Sequence, residues 1–530
     1  MMRPSEQTPL ISNQHEARAL GVQRGLVILV LMGVLIFIQA TNMSMMTTAQ
    51  SNIAADLDAF AEASWFTSAY MIAMSSITPL AGRLSQIFTP RLYVVFSTTL
   101  LAFGLFISAA APTLAVFLLG RAVAGCGSGG LMSTSIILVL DMVSKKRRGL
   151  CIGLINCGYT TGVASGAVIA GLLAPTLGWR VIFWVQAPIA LLLGPLLFFA
   201  IPRPSSDDAN PFKPEYLLPN LARVDYVGAM TLTISVVLLL TSLASPQIIV
   251  WPILVSLPFF GLFVVAESRW TTEPIIPVKI LRARGVMFTC LAGLGLMMAR
   301  WSILFFTPVY AMAVRGWSPA SAGLFLIPTN AGFGLGGLLV GWLHIRQTGS
   351  YYISSLIIFV GFALASFVLS FLSTPESPVA LYFSVIFLNG LFAGALMNYT
   401  LSHLLHLTSP SVHYIVTALL AMSRGFAGSF GSAVGGGYFA RILKPSLEAG
   451  FAAHGLPPQP ELVRELLGSP ATVMRLTGTE RLVATESYEH AVQMLFLAGS
   501  ILALVSTVVQ AGVGWTPETD KGNGDSEVQD

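Results

Sequence analysis

Long runs of apolar residues alternate with short polar stretches over most of the 530-residue chain. A helix needs about 20 apolar residues to cross the hydrocarbon core of a bilayer, and about fourteen runs meet that length. We therefore predict an all-α membrane protein with about fourteen transmembrane helices. The predicted spans are 26–48, 63–83, 92–111, 114–140, 149–173, 180–200, 226–244, 248–267, 286–313, 320–343, 352–372, 379–404, 414–440 and 490–513.

The composition agrees with a chain that is solvated by lipid. Hydrophobic residues make up 55% of the sequence and charged residues only 10%, whereas a soluble domain has about 25% charged residues. The net charge is +4, but its longest basic run is the KKRR at 145–148. We expect no nucleic-acid partner, because such proteins carry an extended basic face.

The charges of the loops predict the orientation. Lys and Arg are concentrated in every second loop, and loops rich in these residues stay in the cytoplasm. Both termini are then cytoplasmic. Because the first 24 residues are polar and the first apolar run is long, we expect no cleavable signal peptide.

These spans divide the chain into five parts. We expect a disordered cytoplasmic tail at 1–25, a six-helix bundle at 26–200 and a linker with two extra spans at 201–285. A second six-helix bundle follows at 286–513, with a long non-cytoplasmic loop at 441–489, and an acidic tail ends the chain at 514–530. Within that loop the segment PELVRELLGS predicts a short surface helix.

No cofactor, metal or catalytic site is predicted. The four cysteines lie in apolar runs without metal-ligand spacing, and GCGSGG at 125–130 lacks the Gly-Lys-Ser/Thr of a phosphate loop. The sequons at Asn42 and Asn398 fall inside predicted spans, so neither is expected to be glycosylated. An enzyme is therefore disfavoured.

Polar side chains inside the spans are the candidates for binding a solute. Arg300 lies near the middle of the ninth span, where a charge costs about 2.5–3.5 kcal/mol unless it faces a cavity or a partner. Its guanidinium could bind a carboxylate through two parallel hydrogen bonds, or it could donate to helix carbonyls. Asn42 and Gln186 could contact a solute or bridge helices. No acid lies at mid-span, which favours a neutral or carboxylate-bearing solute.

A face of small residues marks the fifth span. Gly158, Gly162 and Gly166 recur at helical spacing, which allows two helix backbones to approach closely in a bilayer.

The motifs between residues 60 and 200 resemble the major facilitator superfamily. GRLSQIFTPR at 82–91 resembles its loop between helices 2 and 3. Residues 118–128, with Arg121, resemble its helix 4 signature, and 158–171 its helix 5 antiporter signature. More narrowly, the chain resembles the 14-spanning drug:proton antiporter branch, including fungal vacuolar amino-acid transporters and efflux pumps.

This resemblance implies two six-helix bundles with an extra helix pair between them, rocking about a central cavity. It implies that Arg121 faces the cavity and responds to protonation. It also implies a cytoplasmic latch, for which the candidates are Arg83, Arg91, Asp141 and Arg148. A sliding surface is implied as well, for which the candidates are Gly158, Gly162 and Gly166. The chain departs from the pattern at Gln86 and Asn42, where the family often has acids, and at Val163, where it usually has proline.

We therefore predict a monomeric secondary transporter of a small organic solute, such as an amino acid, a metabolite or a drug. It would exchange the solute for protons, in either the vacuolar or the plasma membrane. The absent charges at Asn42 and Gln86 leave a second possibility open, a non-transporting nutrient sensor or scaffold of the same fold.

Overall fold

The computed structural model describes residues 22–131, 134, 135, 138, 148–202, 225–245, 247–270, 280, 282–341, 351–409 and 412–515. The part described consists of helices and the connections between them. Lipid offers no hydrogen-bonding partner to the backbone, so helices are the form in which these apolar runs satisfy their own amide and carbonyl groups. Asp141 lies outside these residues, and so does most of both predicted tails.

The first group of helices carries the residues of the first predicted bundle. Its members are α1 (Val22–Ser44), α2 (Met46–Asp56), α3 (Ser64–Ile87), α4 (Thr89–Ala110), α5 (Leu114–Ser128), α6 (Arg148–Leu177) and α7 (Trp179–Ala200). In this half α4 packs against α5 and α7, α1 against α6, and α3 against α5. The predicted first span covers most of α1 and the start of α2, and the helix continues through α2 to Asp56.

The second group follows a pair of helices, α8 (Tyr226–Ala244) and α9 (Val250–Val265). It consists of α10 (Arg284–Ala313), α11 (Pro319–Gly323), α12 (Leu326–Leu339), α13 (Tyr352–Leu372), α14 (Val379–Leu407), α15 (His413–Ala453), α16 (Pro460–Gly468) and α17 (Gly478–Ala511). Here α12 packs against α14, and α10 against α15 and α17. Each half has its own cluster of buried apolar side chains.

Two seams join the halves. On one side α3 packs against α15, and on the other α6 packs against α11 and α12. Helix α8 lies along the first seam, since it contacts both α3 and α15, and α9 packs on α8. We call the end of the bundle that carries residues 57–63, 314–318 and 454–477 the outer end, following the predicted orientation.

Among the described helices, eleven are long and apolar enough to cross a membrane. Helix α5 is apolar but shorter, and α3 and α15 are not among the eleven. The count of fourteen therefore stays a prediction.

The segment predicted as a long loop at 441–489 is largely helical. Helix α15 continues to Ala453 and α17 begins at Gly478, so the connection between them spans only 454–477. Charged residues mark the ends of the apolar runs here, but not the ends of the helices. A helix can continue into water beyond the bilayer, and Lys444 and Glu448 lie four residues apart on such an extension, a spacing that supports a helix. Within the connection, the predicted short helix is α16.

Candidate functional site

Three of the predicted binding residues meet inside the first half. Arg121 of α5 is fully buried, and its guanidinium donates to the Asn42 amide oxygen at 2.5 Å and to the Phe66 carbonyl at 2.8 Å. The guanidinium also lies over the Tyr70 ring, 4.6 Å from its centroid. The Asn42 amide nitrogen in turn reaches the Gln186 side-chain oxygen at 3.5 Å.

This network links helices α1, α3, α5 and α7 through a charge whose hydrogen-bonding partners are neutral. One guanidinium nitrogen of Arg121 is buried without a hydrogen-bonding partner. Asn42 accepts from Arg121, but an amide cannot take up a proton at physiological pH. Asn42 is therefore not a proton-carrying group.

Arg300 lies apart from this network, on α10 of the second half. Its side chain is 5% exposed and donates weakly, at 3.4 Å each, to the Thr329 hydroxyl and the Asn330 amide oxygen. Its guanidinium stacks on Phe333 at 4.4 Å. The next residue of α10, Trp301, packs against the buried clusters of both halves. Arg300 thus lies beside the contact between the halves, held by polar groups rather than by an acid.

A cavity of about 330 Å³ lies between the halves toward the outer end. Helices α2 and α3 supply one wall, and α10 and α15 supply the opposite wall. Residues lining the two walls are Thr47, Gln50, Ser64, Thr67, Phe305, Phe306, Val309, Ser432, Gly436, Phe439, Ala440, Lys444 and Glu448.

The deeper part of the cavity combines hydroxyl groups with aromatic rings. Phe306 and Phe439 pack with ring centroids 4.6 Å apart, and Thr67 and Ser432 bring hydroxyls from opposite halves. Lys444 and Glu448 lie farther out along α15 and face each other at 3.9 Å. Pockets of this type, mostly apolar with a few placed polar groups, are typical of sites for small organic molecules.

None of the four predicted binding residues lines this cavity. Arg300 lies on α10 five residues inward of Phe305, roughly 7.5 Å along the helix axis. Trp301 lies between them, stacks on Phe305 and packs against the buried clusters of both halves. The sequence by itself does not single out Thr47 or Gln50 as binding residues. Nor does it single out the phenylalanines, because aromatic residues occur in every span.

The glycine face of α6 makes the close approach that its spacing predicts, but within the first half. A Cβ on Gly162 would lie 2.6 Å from the Phe37 carbonyl oxygen, and one on Gly166 would lie 2.7 Å from the Thr41 carbonyl oxygen. Gly158 faces Gly33. Their partner is therefore α1, and our placement of these three glycines between moving halves is wrong. Gly171 does contact the second half, because its Cβ would lie 2.6 Å from the Ala320 amide nitrogen of α11.

The predicted latch is described only in part. Arg91, near the start of α4, places its guanidinium 3.7 Å from the centroid of the Phe198 ring. Arg83 lies on α3 and Arg148 begins α6, but their side chains are outside the description, as is all of Asp141. The latch stays a prediction.

Comparison with known proteins shows the family. Residues 32–432 match the sequence model of the Major Facilitator Superfamily. MFS-type transporter clz4 of Cochliobolus lunatus is 28% identical over 97% of this chain and 91% of its own length. Multidrug resistance protein fnx1 of Schizosaccharomyces pombe is 26% identical over 88% of each chain. Vacuolar basic amino acid transporter 1 of Saccharomyces cerevisiae is 26% identical over 59% of this chain and 55% of its own length.

Solved structures agree on the fold. A bacterial homolog of the human lysosomal transporter Spinster, in an inward-facing and occupied conformation, superposes with a TM-score of 0.63. It shares 13% identity over 94% of this chain and 100% of its own. These findings confirm the predicted resemblance, including its fungal transporters, and they support the transport of small solutes across a membrane. The chain is a multi-pass membrane protein that belongs to the Major Facilitator Superfamily.

Proposed function

We propose that the protein is a secondary active transporter that moves a small organic solute by alternating access, exchanging it for protons. The solute occupies the cavity between the halves. The transport serves efflux from the cell or sequestration in a vacuole, in keeping with its similarity to a fungal multidrug resistance protein and a vacuolar amino acid transporter.

One observation carries this proposal: a single cavity takes its walls from both halves of the molecule. A solute held between Thr67 of α3 and Ser432 of α15 contacts both halves at once. If the halves rock about their seams, the same contacts become reachable from one side of the membrane and then from the other. A cavity enclosed within one half would not behave in this way.

The seams have the small side chains that such a movement requires. At the α6–α11 seam, Gly171 packs against Ala320, and a Cβ on Gly323 would lie 2.8 Å from the Ala167 carbonyl carbon. At the α3–α15 seam, the hydroxyls of Ser75 and Ser429 hydrogen-bond to each other, and Ser429 also donates to the Met71 carbonyl at 2.7 Å. Small residues let helix backbones lie close, so a modest rotation changes the contacts without moving bulky side chains.

The charges near the cavity bear on the class of solute. Among the residues that line it, Lys444, Glu448 and Arg464 are the ionised side chains, and Lys444 and Glu448 face each other. The deeper walls are neutral. Burying an unpaired charge against such walls is costly, so a neutral solute, or one whose carboxylate reaches Arg300 when the cavity extends inward, fits better than a cation.

The test is transport by the purified chain in proteoliposomes with an imposed pH gradient, using radiolabelled lysine, glutamate and phenylalanine as probes. We expect gradient-driven uptake of phenylalanine or glutamate above that of lysine. A Ser432→Trp substitution fills the cavity and should abolish the uptake. Val508→Trp, on a side chain that is 72% exposed on α17, is the matched control and should transport normally. Undiminished uptake by Ser432→Trp would show that the cavity is not the pathway.

The sensor or scaffold alternative has one observation in its favour, the neutral Asn42 beside Arg121. A sensor would bind its ligand and show no net flux. Counterflow of any of the three probes, measured without a pH gradient, would exclude this alternative.

A further inference from the structure

The connection between α15 and α17 crosses the outer end of the cavity and reaches the other half. We call residues 460–470, which comprise α16, Ser469 and Pro470, the strap. Five strap residues line the cavity, namely Pro460, Val463, Arg464, Leu467 and Pro470. A segment expected to be a surface helix is therefore a wall of the candidate site.

The strap is anchored in the second half by apolar burial. Val463 and Leu466 are 6% and 0% exposed and belong to the buried cluster of the second half. Tyr488 of α17, itself fully buried, donates from its hydroxyl to the Leu466 carbonyl. At its start, Gln459 donates to the Glu480 carboxylate at 2.9 Å. The strap should therefore move together with the second half.

Its contacts with the first half are of a different kind. Arg464 donates to the Asp58 carboxylate at 2.7 Å and to the Asp58 carbonyl at 3.0 Å, with side chains that are 38% and 82% exposed. The Gln50 amide donates to the Gly468 carbonyl at 3.2 Å. Gly468 lies directly on the backbone of Phe60, since a Cβ there would be 2.7 Å from the Phe60 carbonyl carbon.

This difference between the two sets of contacts predicts which of them break first. An exposed ion pair contributes little, whereas two fully desolvated apolar side chains contribute several times more. An opening movement at the outer end should therefore break the contacts of Arg464, Gln50 and Gly468 with the first half and leave Val463 and Leu466 in place.

We propose that the strap is the outer gate of the cavity: the second half carries it, and Asp58, Gln50 and Phe60 of the first half hold it closed. Its inner face also contacts whatever the cavity holds, so Val463 and Leu467 are specificity-determining residues at the outer end of the site. The gate forms part of the transport cycle proposed above. Its closure is a property of the chain alone and can be measured without a solute.

The experiment measures access to the cavity in the purified full-length chain. A Ser432→Cys substitution places a thiol on the cavity wall, and its rate of reaction with N-ethylmaleimide is followed by residue-resolved mass spectrometry. The native Cys290, which is buried in α10, is the internal reference. Arg464→Ala and Gly468→Ala each loosen the strap, the first by removing the ion pair and the second by a collision with Phe60. We expect each to raise the rate at position 432 by about two- to fivefold, as loss of an exposed pair allows.

Two control substitutions test whether the effect belongs to the strap. Arg180→Ala breaks the exposed Arg180–Asp56 pair within the first half, whose residues do not line the cavity, and Gly425→Ala adds a methyl group where nothing lies within 4 Å. Neither touches the contact between strap and first half, so both should leave the rate unchanged. Asp58→Asn should raise the rate less than Arg464→Ala, because it leaves the Asp58 carbonyl that also accepts from Arg464. The double variant should react no faster than Arg464→Ala alone, because that substitution already removes both contacts.

Equal rates in wild type, Arg464→Ala and Gly468→Ala would overturn the gate. Such a result would leave the proposed transport untouched, because transport is tested separately by solute flux. Loss of flux in Ser432→Trp together with unchanged labelling in the strap variants would keep the cavity as the pathway and dismiss the strap as its gate.

Discussion

Arg121 of α5 and Asn42 of α1 are joined by a 2.5 Å hydrogen bond in which the guanidinium donates to the amide oxygen, and both side chains are fully buried. The two residues are 79 positions apart in the chain. Their contact holds a permanent charge inside the first half by means of a neutral partner, and Gln186 of α7 supports that partner from the other side.

Replacing Asn42 by leucine should destabilise the protein. The substitution removes the acceptor of a buried, charged donor, and an unsatisfied group of this kind costs at least about 1–3 kcal/mol. We expect a lower midpoint of thermal unfolding in detergent, followed by size-exclusion chromatography after heating. A leucine variant as stable as wild type would show that Arg121 finds another acceptor.

Asn42→Asp should behave differently, because it keeps an acceptor at the same place and adds a charge opposite to that of Arg121. We expect stability close to that of wild type. The Asn42 amide does not titrate, whereas an aspartate carboxyl does, so the dependence of transport on pH should change. Transport with an unchanged pH profile would mean that position 42 takes no part in coupling.

Arg300→Ala should lower the flux of a carboxylate-bearing probe more than that of a neutral one. The alanine removes the fork that could hold a carboxylate, whereas Arg300→Lys keeps the charge but not the two-point geometry. Proteoliposome uptake of glutamate and of a neutral amino acid amide, compared across the three proteins, measures the difference. Equal gradient-driven flux in wild type and Arg300→Ala would remove Arg300 from the mechanism.

Gly162→Ala should separate α1 from α6. Its new methyl group would lie 2.6 Å from the Phe37 carbonyl oxygen and 2.8 Å from the Ala40 Cβ, and overpacking of this kind costs about 1–3 kcal/mol. The control is Gly33→Ala on α1, where a Cβ would meet nothing within 4 Å. Thermal unfolding should distinguish the two, with the control at or above the wild-type midpoint.

Phe439→Ala should enlarge the cavity and admit larger solutes. The ring packs on Phe306 with centroids 4.6 Å apart, and its loss opens space at the wall between the halves. We expect faster uptake of bulky neutral probes relative to small ones, measured over a series of N-acyl amino acid amides of increasing size. Phe371→Ala, on a ring that is 65% exposed on α13, should leave the size preference unchanged.

The sequence predicts most of the helices, because the thickness of the bilayer sets a length that can be counted along the chain. This count of apolar residues fails where a helix continues through charged residues beyond the apolar run. Residues 441–453 and 478–489 predict a loop because they contain charged residues, yet they extend α15 and α17 beyond the apolar runs.

The motifs around Arg121 and Gly158 predict the family, since they are local patterns that can be recognised without knowing what they touch. The same patterns do not name their partners. Gly162 contacts α1 rather than the second half. The spacing of the glycines predicts that some helix approaches closely, but it does not specify which helix.

By itself, therefore, the sequence determined that this chain is helical, that lipid surrounds it and to which family it belongs, because those properties depend on the length, hydropathy and local order of its residues. The tertiary structure decided which side chains form the site. The cavity brings Thr67, Phe306 and Ser432 together, and the strap brings Arg464 to Asp58 over more than 400 residues. Such contacts arise from the packing of distant helix faces against one another, which no local pattern specifies.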